Sequence, residues 1–170
     1  MTDFTLIKCL YNGIDNYCIW YSGNKDSLIC DENKLILSFA DVNTALQYFS
    51  HNNLSLANDK DIVSYDFDDL RAWLTSKDAT INCVDFSNFW NLFSDIASST
   101  GKRFRGDKRN KSTNRVYDKL FYEMNLPSIK PEGEEDFVPV WRKKQKKIIR
   151  AVMANGLNIL KESTVFKTTI

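Results

Sequence analysis

The chain has a single histidine, His51, which excludes a multi-histidine metal site. Its three prolines, Pro127, Pro131 and Pro139, all fall in one stretch, so 125–140 is predicted to be a loop and no proline breaks an element elsewhere. Its four cysteines, Cys9, Cys18, Cys30 and Cys83, contain no C-x-x-C pair, which argues for reduced, half-buried thiols and against a disulfide frame or zinc site. Apolar runs fall far short of the roughly 18 residues that cross a bilayer. Met1-Thr2-Asp3-Phe4 lacks the basic start and apolar stretch of a secretory signal. A soluble, cytoplasmic protein without membrane association is therefore predicted. Also missing are internal repeats, low-complexity tracts, an RNP-type aromatic signature, a zinc finger and a glycine-rich phosphate loop.

What is present is an ordinary globular composition with an unusual order of charge. Apolar residues make up 43%, aromatics 13% and charged residues 26% of 170 residues, enough for one well-formed core. Residues 1–101 hold 6 Lys+Arg against 14 Asp+Glu, and residues 102–170 hold 17 against 8, so halves of −8 and +9 cancel to a net +1. Such sorting points to partners met electrostatically.

The first 37 residues alternate apolar runs with turn chemistry, and Asn12-Gly13 between two such runs is a hairpin signal because both residues tolerate positive φ. Ser38 and Asp41 stand at capping-box spacing ahead of Val42, Ala45, Leu46 and Phe49, which predicts a helix over 39–51. A strand over 62–65 leads to Asp66 as the cap of a helix bearing Leu70, Trp73 and Leu74. Asp85 is placed to cap the next helix, with Phe86, Phe89, Trp90 and Phe93 inward and Gly101 as its stop. The basic run 102–111 is predicted to be a solvated loop. Ser112 or Thr113 then starts a helix with Val116, Tyr117, Leu120, Phe121 and Met124 inward. A last helix begins near Trp141, and Asn155-Gly156 either ends it or only weakens it. Strands first and helices afterwards predict a single α+β domain, strand-rich over 1–66 and helix-rich over 67–170. In it an antiparallel meander carries helices on one face.

Few residues offer chemistry. His51 falls at a helix end, where an imidazolium complements the last carbonyls. The run Asp59, Asp61, Asp66, Asp68 and Asp69 has the hard oxygens that Mg²⁺ requires. Carboxylates at a helix start are equally explained by capping, or they form an acidic recognition surface. A second acidic group, Glu132, Glu134, Glu135 and Asp136, sits in the proline-bearing loop beside Phe137, Val138 and Trp141, the mixture expected of an interface. Residues 102–111 and 142–150 each hold six cations, either a solvated face or a phosphate-binding surface. The Arg105-Gly106-Asp107 tripeptide reads as chance.

One resemblance covers about the last half of the chain. Val84-Asp85-Phe86-Ser87-Asn88-Phe89-Trp90-Asn91-Leu92-Phe93-Ser94-Asp95-Ile96-Ala97, with Tyr117-Asp118-Lys119-Leu120-Phe121, Asn125-Leu126-Pro127 and Pro139-Val140-Trp141, resembles bacterial immunity proteins that accompany contact-dependent growth inhibition toxins. The resemblance implies a small cytosolic protein that binds the toxin domain of its cognate effector, often a nuclease, and blocks it. No catalytic residue, metal or cofactor is expected, and nucleic acid is not expected to bind specifically. The expected toxin-binding residues are Asp59, Asp61, Asp68, Asp69, Glu132, Glu134, Glu135 and Asp136. The alternatives are a basic nucleic-acid-binding module over 102–150 and a metal-dependent nuclease built on Asp59 to Asp69.

Overall fold

A computed structural model of the chain describes residues 3–57, 62–77, 79–124, 132–135 and 138–166. Its strands are β1 (Asp3–Tyr11), β2 (Ile14–Ser22), β3 (Ser27–Leu28), β4 (Ser38–Phe39) and β5 (Val63–Asp66). Its helices are α1 (Val42–His51), α2 (Phe67–Thr75), α3 (Cys83–Thr100), α4 (Lys111–Tyr122) and α5 (Lys143–Ser163), with a single 3₁₀ turn at Arg105–Asp107. The fold is α+β: four strands come first, but β5 follows α1 before the remaining helices.

Asn12 and Gly13, at φ +53° and +72°, close the β1–β2 hairpin. A two-residue turn of positive φ matches the twist of the strands and sets the register, with Leu6 opposite Ile19 and Ile7 opposite Cys18. The sheet runs β3-β2-β1-β5, and β4 also pairs with β2. Three of its pairings are antiparallel, but β5 lies parallel to β1, with Cys9 beside Tyr65.

Helices cover both faces of the sheet, where one covered face was expected. Leu6 and Ile19 pack with Ala45 and Phe49 of α1. Ile7, Cys9 and Cys18, pointing the other way, join Phe67, Leu70, Phe89, Phe93 and Met153 from α2, α3 and α5. The cause is visible in β1, where consecutive Leu6-Ile7 and Cys9-Leu10 give the strand no polar face.

Two expected caps are displaced. Ser38 is occupied in β4, so Asp41 caps α1 by accepting from the Thr44 N–H at 2.8 Å. Asn82, not Asp85, caps α3, its Oδ1 accepting from the N–H groups of Val84 and Asp85; Asp85 sits in the first turn, where its charge faces the helix dipole. Asp66 does cap α2, and Gly101 at φ +71° does end α3, with the Lys102 N–H donating to Ala97 O. Asn110 caps α4, two residues before Ser112 and three before Thr113, and Phe121 is 40% exposed where an inward ring was expected. The final helix runs straight through Asn155-Gly156.

Asp68 fastens α2 to the hairpin. Its carboxylate accepts from the Asn12 N–H at 2.9 Å and the Gly13 N–H at 2.7 Å, and Arg71 pairs with the same group. Burial alone would raise its pKa, but those two N–H groups and Arg71 outweigh it and hold the carboxyl below its ordinary value. Asp68→Ala should therefore lower stability by about 1–2 kcal/mol at neutral pH. A depressed folded pKa stabilises above the unfolded pKa and is lost as pH falls through the folded one, so the gap between wild type and variant should close below about pH 4. Urea melts at both pH values check this; an unchanged gap in acid would remove Asp68 from the account.

Candidate functional site

The expected acidic sites divide when placed on the fold. Asp59, Asp61 and Asp136 lie outside the described residues. Asp68 is engaged within the chain by the hairpin turn and Arg71, so it serves as a structural clamp. Asp69 is exposed in the first turn of α2, and Glu132, Glu134 and Glu135 are exposed. Among the described residues no group of three or more His, Cys, Asp or Glu is arranged to hold a metal ion. His51 is the exposed last residue of α1. All four thiols are free, and those of Cys9, Cys18 and Cys83 are buried. A hydrogen bond with Cys18 and burial push the Cys9 thiol up, and burial pushes Cys83 to about 11, which keeps both as unreactive thiols.

A different acidic site is built where β1, β2 and β5 meet α3. There Thr5, Trp20, Asp26, Tyr65, Asn91 and Asp95 line a cavity of about 520 Å³. Trp20 reaches it from β2 because odd-numbered β1 residues and their β2 partners face α3. Tyr65 reaches it because β5 lies beside β1. Asp95 comes from the fourth turn of α3, and its Oδ2 accepts the Trp20 indole N–H at 3.0 Å. One turn on, Ser99 Oγ accepts the Leu28 N–H at 2.8 Å and fixes β3 against the same helix.

The electrostatics of this pocket favour an incoming cation. Burial, then the negative charges of Asp26 and Asp107, raise the Asp95 pKa, while the Trp20 N–H and Lys25 oppose the shift. Burial and the neighbouring Cys9 and Asp95 push the Tyr65 hydroxyl to about 12, so it stays protonated. Neither Asp26 nor Asp95 forms an ion pair with a described residue. Val63, 44% exposed on the edge strand, lines the pocket, and Ile62 beside it is 40% exposed. Apolar rim, aromatic walls and unpaired carboxylates are the ingredients of a pocket that receives a Lys or Arg side chain.

Sequence reasoning missed these residues. The only trace was Asp95, a carboxylate deep within α3 and too far from its start to cap it.

The basic run 102–111 is no free loop either. Phe104 is buried at 5%, packed on Trp90 and Phe93. Gly106 lies so close to the Phe104 and Trp90 rings that a Cβ there would overlap both, which explains the glycine of the Arg-Gly-Asp tripeptide by packing. The Arg105 N–H donates to Asn155 Oδ1 at 2.6 Å, and Ser94 Oγ donates to Asp107 at 2.7 Å.

Among the described residues no helix is long and apolar enough to cross a membrane. No protein-family model, curated protein or solved structure matches this chain.

Proposed function

We propose that this chain is an immunity protein, a cytoplasmic, non-catalytic inhibitor that binds a cognate toxin domain in a stoichiometric complex. The toxin is a nuclease, whose phosphate-holding Lys and Arg are the natural complement of an acidic inhibitor. The observation that carries this reading is the Asp26–Asp95 pocket, with two carboxylates that have no ion-pair partner among the described residues, a tryptophan wall and an apolar rim. The resemblance of residues 84–97 and 117–121 to immunity proteins points the same way. The exposed acids Asp69, Glu132, Glu134 and Glu135 add long-range attraction, which speeds association more than it tightens the complex.

Asp95 allows fold and function to be separated. Its ionised form is disfavoured by burial, and an asparagine still presents an oxygen to the Trp20 N–H. A raised folded pKa means that ionisation weakens the fold as pH rises, so Asp95→Asn should leave the melting temperature at neutral pH unchanged or higher. Toxin affinity should nevertheless fall about tenfold, equivalent to about 1.4 kcal/mol, on losing one half-buried charge. Asp26→Lys should weaken binding further and slow association at low salt. Calorimetry with the cognate toxin domain, sought in the reading frames that neighbour the gene, is the measurement. Two folded variants with unchanged affinity and association rate would place the contact surface elsewhere.

A further inference from the structure

The two basic segments, more than thirty residues apart in sequence, meet in space. Lys102, Arg103, Arg105 and Lys108 line a hollow of about 610 Å³, and Arg105 and Lys108 continue into a second of about 380 Å³ shared with Lys144 and Lys147 of α5. Together they form one groove between the 3₁₀ turn and α5, with Asn110, the cap of α4, in its wall. Lys102 is paired with Glu162 at 2.9 Å. Arg105, Lys108, Lys144 and Lys147 are all exposed and form no ion pair with a described residue. The single acid in the lining, Asp107, is engaged by Ser94.

This arrangement works against the isolated fold. Neither α4 nor α5 has an acid in its first turn, whereas α2 has Asp68 and Asp69 and α3 has Asp85. Lys143, Lys144, Lys146 and Lys147 instead crowd the start of α5, and Lys111 opens α4. Cations at a helix N-terminus oppose the dipole, and like charges three or four residues apart repel. The turn that brings Arg105 and Lys108 into the same groove is held rigidly by Phe104, Gly106 and the Asn155 bond. A bound polyanion would reverse each of these penalties at once.

We propose that this groove binds the phosphodiester backbone of a polynucleotide, independently of its sequence. A phosphate backbone needs only a row of cations and helix-start N–H groups. An acidic protein partner would need apolar anchors as well, and the lining offers only Ile148 and Ala151 beside the buried Phe104. No exposed aromatic stands in the groove to stack or read a base. The proposal is independent of the immunity reading, because it uses none of the residues of the Asp26–Asp95 pocket.

Fluorescence anisotropy with a labelled oligouridylate of about 20 nucleotides tests it. Four phosphate contacts on a single strand give a salt exponent of about −2.8, so affinity should fall about 50-fold between about 50 and 200 mM salt. Arg105→Glu/Lys108→Glu and Lys144→Glu/Lys147→Glu, all at exposed positions, should each weaken binding at the lower salt more than tenfold and reduce the exponent by about 1.4. Lys25→Glu/Lys161→Glu, with the same change in net charge outside the groove, should leave the exponent unchanged. Circular dichroism confirms that each variant is folded. The proposal is overturned by absent binding at the lower salt, or by an equal loss in the control pair, which would mean a general field effect. Competition by poly-L-glutamate as strong as that by unlabelled oligonucleotide would also overturn it, in favour of an acidic protein.

Discussion

Replacing Gly156 by alanine should destabilise the protein by about 3 kcal/mol, although the substitution improves the intrinsic helix propensity of a mid-helix position. Two effects of opposite sign compete. Alanine in place of glycine inside an exposed helix is worth about 1 kcal/mol. Against this, Gly156 is buried where α5 crosses α3, and an added Cβ would overlap the ring carbons of Phe93. That ring is 0% exposed and is enclosed by Phe67, Phe89 and Phe104, with centroids 6.0, 6.1 and 6.0 Å away, so it has no room to yield. Overpacking typically costs about 1–3 kcal/mol and more where the neighbours cannot yield; a direct overlap with an enclosed ring belongs above that range, at about 4 kcal/mol, which leaves about 3 kcal/mol after the propensity gain. The expected signature is a melting temperature lower by roughly 6–12 °C for a chain of this size. Phe93→Leu in the same background should recover part of the loss, which gives a coupling energy between the two positions. A more stable Gly156→Ala would mean that the glycine merely weakens a helix.

Arg150→Ala should cost about 3 kcal/mol, and Arg150→Lys more than half of that. Helix α2 ends at Thr75 without a glycine stop, so its last carbonyls need donors. Arg150 supplies them from α5. Its Nη1 donates to Trp73 O at 3.1 Å and Leu74 O at 2.8 Å, its Nη2 donates to Ser76 O, and its guanidinium lies 4.4 Å from the centre of the Trp73 ring. A cation at this position also complements the negative end of the α2 dipole. Charge-assisted bonds contribute about 1.5–3 kcal/mol, and removing the guanidinium takes the donor from the Leu74 and Ser76 carbonyls, while Trp73 O keeps the Ser76 N–H at 3.2 Å. Lysine keeps the charge but loses the planar fork that serves three carbonyls and stacks on an indole. Urea denaturation of the two variants separates charge from geometry; equal stability of Lys and wild type would mean that charge alone suffices. Arg150 thus leaves the basic surface: of the cations in 142–150 it belongs to the fold.

Local signals carried much of the architecture. Asn12-Gly13, Asp66, Gly101 and the Phe86, Phe89, Trp90, Phe93 stripe each act through neighbours within a turn or two, so their spacing is legible in one dimension. The displaced caps show the limit of such signals. Ser38 has capping chemistry, yet β2 claims its backbone, and Asn82 precedes Asp85 by one turn and takes the cap first. The candidate site was hidden for a stronger reason. Trp20, Asp26, Tyr65 and Asp95 come together only through the parallel β5–β1 pairing and the docking of α3, and neither has a local pattern. The basic groove likewise depends on one buried ring, Phe104, and one side-chain bond from Asn155 to a distant backbone.

On the proposed function, protection comes from binding in equal amounts and not from catalysis. Purified chain is titrated into a candidate cognate toxin domain, taken from the reading frames that neighbour the gene, at concentrations well above the dissociation constant, and degradation of nucleic acid by that domain is followed. Activity should fall linearly with added protein and vanish at an equimolar ratio, with toxin and inhibitor recovered unmodified from the complex. Complete inhibition by a small fraction of an equivalent, or full toxin activity in the presence of an excess, would contradict it.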